Sequence, residues 1–87
     1  MPLNFPNTSR SYEPRKQCVS FWGYDSTMEI SFEVEDEALH ALCPTAERNE
    51  SSLLGAFDLN RDRIEKAAVK VYGKRRQFYI RLSSKDF

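Results

Sequence analysis

The clearest pattern in the chain is an alternation of apolar and polar residues, in which Met28, Ile30, Phe32 and Val34 interleave with Glu29, Ser31, Glu33 and Glu35. A period of two predicts a strand with one face in a core and the other in water. Residues 18–24 are rich in β-branched and aromatic side chains, placing Val19 and Phe21 on one face and Ser20, Trp22 and Tyr24 on the other. Asp25 and Ser26, helped by Gly23, supply turn chemistry between these segments, so residues 17–35 are expected to form a β-hairpin.

A helical period follows. Asp36 is placed to cap a short helix over residues 36–43, with Ala38, Leu39 and Leu42 on its apolar side and Pro44 ending it. Thr45 or Asn49 is available as the next cap. Over residues 50–72, Leu53, Phe57, Ile64, Ala67, Ala68 and Val71 fall in one stripe at about 100° per residue, predicting one long helix that ends at Gly73. Residues 76–83 alternate again, with Phe78, Ile80 and Leu82 inward and Tyr79, Arg81 and Ser83 outward. Residues 1–16 carry Pro2, Pro6 and Pro14 and read as an extended N-terminal arm, tacked down by Phe5 and Tyr12. The predicted architecture is α+β: a two-layer sandwich in which an antiparallel sheet of hairpin plus C-terminal strand is covered on one face by a short and a long helix, all within a single domain, 1–87.

Three stretches carry a family resemblance: "LNFPNTSRSYEPRKQCVSFWGYDSTMEISFEVEDEAL", "LLGAFDLNRDRIEKAAVKVY" and "YIRLSSKDF". Together they resemble the small bacterial proteins grouped as domain of unknown function 1488. The helix pattern Phe-x-x-x-Arg-x-x-Ile-x-x-x-Ala of that family is matched by Phe57, Arg61, Ile64 and Ala68. The resemblance implies a compact bacterial α+β domain and brings no activity, cofactor or partner with it.

Composition narrows the function classes. With 13 basic and 13 acidic residues the formal net charge is zero, which argues against a strong nonspecific polyanion binder. The signs are nonetheless segregated, since the segment 29–50 holds seven acids and one base, while 61–85 holds nine bases and two acids. No apolar run approaches the roughly 20 residues that span a bilayer, and the start has no secretory pattern. The expected location is the cytoplasm, where Cys18 and Cys43 stay reduced.

Cys18, His40 and Cys43 are the only soft metal ligands, too few for a structural zinc site, so no metal or cofactor is expected. The acids before His40 favour its protonated form, which is a poor base for a thiol nucleophile. Gly23, Gly55 and Gly73 are isolated and form no phosphate loop. By elimination the expected function is non-enzymatic: a protein-interaction or regulatory module whose partner-binding residues are Trp22, Tyr24, Tyr79 and Arg81 on the outer sheet face. A homodimer is a second form of that expectation, and Leu59 and Val69 on the back of the long helix offer a further seam for one. The alternative is a single-stranded nucleic-acid binder using Lys74, Arg75 and Arg76 with the outer sheet face. Asn60 and Arg61 interrupt the apolar stripe, and are expected to fix helix register or line a cleft.

Overall fold

The computed structural model describes residues 3–87; Met1 and Pro2 of the predicted arm lie outside the described residues. Eight elements follow in order: β1 (Leu3–Asn4), β2 (Arg10–Glu13), β3 (Cys18–Asp25), β4 (Met28–Glu35), α1 (Asp36–Leu42), α2 (Glu50–Leu59), α3 (Arg61–Arg75) and β5 (Tyr79–Leu82). A 3-10 turn, Ser84–Asp86, follows β5. The alternating hairpin forms as expected, with β3 and β4 antiparallel from Cys18 opposite Glu35 to Asp25 opposite Met28. Ser26, at φ 57°, takes the left-handed conformation that the two-residue connection requires.

The arm is part of the sheet. Both β1 and β2 pair antiparallel with β3, β2 along residues 18–21 and β1 at Tyr24 and Asp25. Arg10 fastens β2 to α2 through a two-pronged ion pair with Asp58, at 2.9 and 2.8 Å. Between the two short strands the chain dips inward, and the Phe5 ring lies 6.1 Å from Phe21 and 6.0 Å from Phe32. Gly23 makes room for it: a Cβ there would stand 2.8 Å from a Phe5 ring carbon and 3.1 Å from Leu3. Gly23 therefore serves arm docking and not the turn.

At the other edge β5 runs parallel to β4, with Tyr79 beside Ser31 and Leu82 beside Val34. This corrects the all-antiparallel sheet expected from the sequence; the sheet is mixed. The physical reason is the helical crossover, which returns the chain to the starting end of β4, the connection a parallel pair demands. Phe78, assigned to the inward face, precedes the strand and is 66% exposed; Met28, at the far end of the hairpin, is likewise exposed.

The predicted long helix is two helices. Asn60, at φ −111° and ψ 18°, leaves the helical region and separates α2 from α3. Its backbone N–H donates to the Ala56 and Phe57 carbonyls, and its side-chain amide also donates to Ala56, at 3.0 Å. Asparagine favours such ends because its side chain competes with the helix ladder. The second helix continues through Gly73, and Arg76, left-handed at φ 41°, closes it. Asp36 is not a cap either: Glu35 occupies the N-cap position, and the buried Asp36 carboxylate accepts the Tyr12 hydroxyl at 2.9 Å. Asn49 does cap α2, its side chain accepting the Ser52 N–H at 2.9 Å.

The core lies between one face of the sheet and the helices. Val19, Phe21, Ile30, Phe32, Val34, Ile80 and Leu82 of the sheet share one cluster with Leu39, Leu53, Phe57, Ile64, Ala68 and Val71. Phe21 stacks on Phe32 and meets Phe57 at a tilt of 58°, both at 5.2 Å between centroids. Fully burying each such ring contributes about 1.5–3 kcal/mol, so the three Phe rings anchor the two layers.

Because the space a Cβ would take at Gly23 is filled by the Phe5 and Leu3 side chains, Gly23→Ala is expected to lower stability by about 1–3 kcal/mol. Thermal melting checks this, and pairing it with Phe5→Ala should cost less than the sum of the two single changes.

Candidate binding surface on the outer sheet face

Strand alternation places four cross-strand rows on the side of the sheet away from the helices. Trp22 pairs with Ser31 and Ser31 with Tyr79, so two large aromatics flank one small residue. In the next row Ser20 pairs with Glu33, and Glu33 with Arg81. Tyr24 and Glu29 form the row toward the hairpin turn, where the Tyr24 hydroxyl donates to Glu29 at 2.9 Å. Cys18 and Glu35 form the row at the opposite end.

The arm does not cover Trp22 and Tyr24. Leu3, Phe5 and Tyr12 pack against the core cluster on the helix side, while β1 and β2 extend the sheet beyond β3. Trp22 and Tyr24 are half-buried and Tyr79 is 51% exposed. What does fold over this face is the turn between β2 and β3, at the Glu33 end. Gln17, at φ 53°, bends the chain so that the Lys16 ammonium reaches Glu33 at 3.3 Å and lies 5.9 Å from the Tyr79 ring centroid.

Glu33 was expected in water and is instead 4% exposed. Its carboxylate accepts the Tyr79 hydroxyl at 2.6 Å and an Arg81 N–H at 2.8 Å, besides the Lys16 contact. Arg81 is fully engaged: Nε donates to Glu35 and Nη2 to the Lys16 carbonyl, both at 2.8 Å. Burial pushes the Glu33 pKa up, but hydrogen bonds from Tyr79, Lys16 and Arg81 outweigh it and the net shift is downward. The Tyr79 phenol is raised, first by its bond to Glu33, and Arg81 is held protonated chiefly by its bond to Glu35. Arg81 thus ties β5 to β4 and to the turn, with each of its three nitrogens already donating once. Glu33 and Lys16 were missed by sequence reasoning, although Glu33 shares its strand face with the acids that a C-terminal Arg and Tyr on β5 would meet.

Cys18 is completely buried beneath the same turn, and burial, with the adjacent Glu33, pushes its thiol up to about 11. Cys43 terminates α1 and sits 4.0 Å from the Thr45 hydroxyl, and His40 lies on α1 with Nδ1 buried and unpartnered. Among the described residues no group of three or more His, Cys, Asp and Glu side chains has the arrangement to hold a metal ion. Asn60 and Arg61 bond within their own helices, Arg61 to Glu65 at 3.0 Å with its guanidinium 5.1 Å from the Phe57 ring centroid; neither reaches Glu33 or Glu35. Lys74 and Arg75 lie in the last turn of α3, in the helix layer, and Arg76 stacks over Tyr72 at 5.5 Å. The structure therefore does not bring Lys74 and Arg75 onto the face that holds Tyr79 and Arg81. Leu59 is 81% exposed beside the Asn60 break, whereas Val69 packs against the core. No helix among the described residues is long and apolar enough to cross a membrane.

A family model described as "Protein of unknown function (DUF1488)" matches residues 3–82. The chain belongs to the DUF1488 family. A crystal structure of a DUF1488 protein of unknown function from Shewanella loihica PV-4, solved at 1.60 Å, is similar to it with a TM-score of 0.82 and 19% identity, over 93% of this chain and 91% of that one. At that identity the likeness establishes the DUF1488 fold. A comparison with curated proteins finds no match.

Two outcomes are expected. Glu33→Gln should destabilise the domain by about 1–3 kcal/mol near pH 7. Because the Glu33 pKa is lowered on folding, the carboxylate's contribution is fully present above its unfolded value of about 4.3 and lost as pH falls through the folded value. Denaturant titrations from pH 7 down to about pH 3 should show the gap between wild type and Glu33→Gln closing below about pH 4.3. In the native protein, iodoacetamide near neutral pH should label Cys43 and spare Cys18, as peptide mass spectrometry would show.

Proposed function

We propose that this DUF1488 domain is a non-enzymatic bacterial protein-interaction module, working in the cytoplasm, that binds a partner chain on the outer sheet face around Trp22, Tyr24 and Tyr79. The observation that carries this is the row Trp22, Ser31, Tyr79: two aromatics on the strands that flank β4, with a small β4 residue between them, Trp22 and Ser31 partly exposed and Tyr79 exposed. Strands about 4.8 Å apart set the two rings roughly 10 Å from each other, a slot that accepts one apolar side chain of a partner. Trp and Tyr supply large contact area at low entropic cost, and such residues dominate interface energetics. Charged groups beside them are already spent, since Glu33, Glu35, Lys16 and Arg81 satisfy one another. Such a face favours shape-based contact over ionic capture. Arg81 belongs to this reading as the residue that holds Tyr79 and Glu33 in place.

A photoreactive phenylalanine analogue placed at Tyr24 should crosslink a defined partner in cells, and the same analogue at Leu59 should not. With that partner purified, Trp22→Ala and Tyr79→Ala are expected to weaken binding at least about tenfold, the scale of a hot-spot residue, while both variants keep a cooperative melt. Equal crosslinking from both positions, or unchanged affinity in both variants, would reject this face. Sedimentation equilibrium of the domain alone tells whether the partner is a second copy.

A further inference from the structure

Six cations that no ion pair engages gather on the opposite side of the molecule, along α3 and the last turn. Arg63, Lys66, Lys70 and Lys74 follow one another at spacings of three, four and four residues, one stripe about 16 Å long on α3. Arg75 and Lys85 flank its far end, Lys85 being set by the 3-10 turn that Ser83 and Asp86 hold together through a capping box. Two pockets of about 270 and 170 Å³ run along this stripe and share Lys70, Asp86 and Phe87, forming one trough between α3 and the turn. All six cations are exposed, and among the described residues none takes part in an ion pair within 4.0 Å. Among the described residues lining the trough Asp86 is the one acidic side chain, and its carboxylate accepts the Ser83 N–H at 2.8 Å.

The helix macrodipole accounts for Lys74 and Arg75 at the C-terminal end, but it opposes Arg63 in the first turn and is indifferent to Lys66 and Lys70. Six unpaired like charges along one trough repel one another and are relieved by a linear polyanion. We infer that this trough binds the phosphate backbone of single-stranded nucleic acid. The side chain of Phe87, 38% exposed and lining both pockets, supplies a surface on which a base stacks. A duplex fits less well, because the 3-10 turn flanks α3 and prevents the helix from entering a major groove as a free rod. Binding here is independent of Trp22 and Tyr79, which face the other way.

The test is fluorescence anisotropy with a labelled oligo-dT of about 15 nucleotides. Contact with about four phosphates predicts that log K falls with log salt at a slope near −3, from about 50 to about 200 mM salt. The double variant Lys66→Glu, Lys70→Glu, which alters exposed side chains and should leave the melt unchanged, is expected to weaken binding at least about tenfold and flatten that slope; Trp22→Ala is expected to leave both as they are. Absence of salt-sensitive binding, binding that survives the charge reversal, or equal or tighter binding to poly-glutamate or to phosphatidylserine vesicles would each overturn the inference.

Discussion

The buried Glu33 carboxylate is the contact on which the open edge of this fold depends. It sits on the central strand β4 and is reached by one group from β5, Tyr79, by a second from β5, Arg81, and by Lys16 from the turn between β2 and β3. A four-residue parallel strand at a sheet edge has few ladder bonds to hold it. Ile80 and Leu82 fasten it from below, and the Glu33 network fastens it from above. The bond from Arg81 to the Lys16 carbonyl then ties the turn to the far strand across the width of the sheet. An ion pair on an exposed face would be worth little, but a carboxylate this buried cannot lose its donors cheaply. That makes the network a device for fixing where β5 lies, and with it where Tyr79 points.

Hydrophobic periodicity carried the elements because it reports burial directly. Residues whose local pattern and final burial agree, such as Ile30, Phe32, Val34, Leu53, Phe57, Ile64 and Ile80, were legible at once. The misassignments share a cause: each was decided by a contact distant in the chain. Glu33 looks solvent-facing until Arg81, 48 residues away, arrives. Asp36 looks like a cap until Tyr12 claims its carboxylate from across the sheet. Gly23 looks like turn punctuation until Phe5 fills the space above it. The parallel sense of β5 is likewise a property of the crossover as a whole. Asn60 is a polar anomaly in the apolar stripe, but a stripe that continues in phase through a break cannot reveal that the helix ends there.

The charge asymmetry along the chain becomes an asymmetry in space by subtraction. The acids of β4 and its surroundings draw in Lys16 and Arg81, and Asp58 and Glu65 take Arg10 and Arg61. Each ion pair among the described residues uses a cation outside the stripe of Arg63, Lys66, Lys70 and Lys74, so six of the cations left unpaired lie along α3 and the last turn. A net charge of zero is therefore compatible with one neutralised face and one strongly positive groove, and the global count says little about either.

Two faces with such different chemistry lie back to back across a thin core, and this constrains how they would work together. The sheet separates them, so occupants of the two would not touch, and any coupling would have to pass through the packed layer of Phe21, Phe32 and Phe57. Close-packed aromatic cores transmit little without a second discrete arrangement to adopt. If both proposed surfaces are occupied, a domain built this way would act as a rigid two-sided adaptor, with binding on one side raising the local concentration of whatever the other side holds, by proximity alone. Backbone runs from the basic trough to the aromatic slot on both sides of β5: through Arg76, Gln77 and Phe78, which join the last turn of α3 to Tyr79, and through Ser83, which joins Leu82 to the 3-10 turn. In the first of these connections Phe78 is exposed and Arg76 is in the left-handed conformation. Adaptor behaviour in a chain of 87 residues needs no more than that, because a single core already supplies two independent faces.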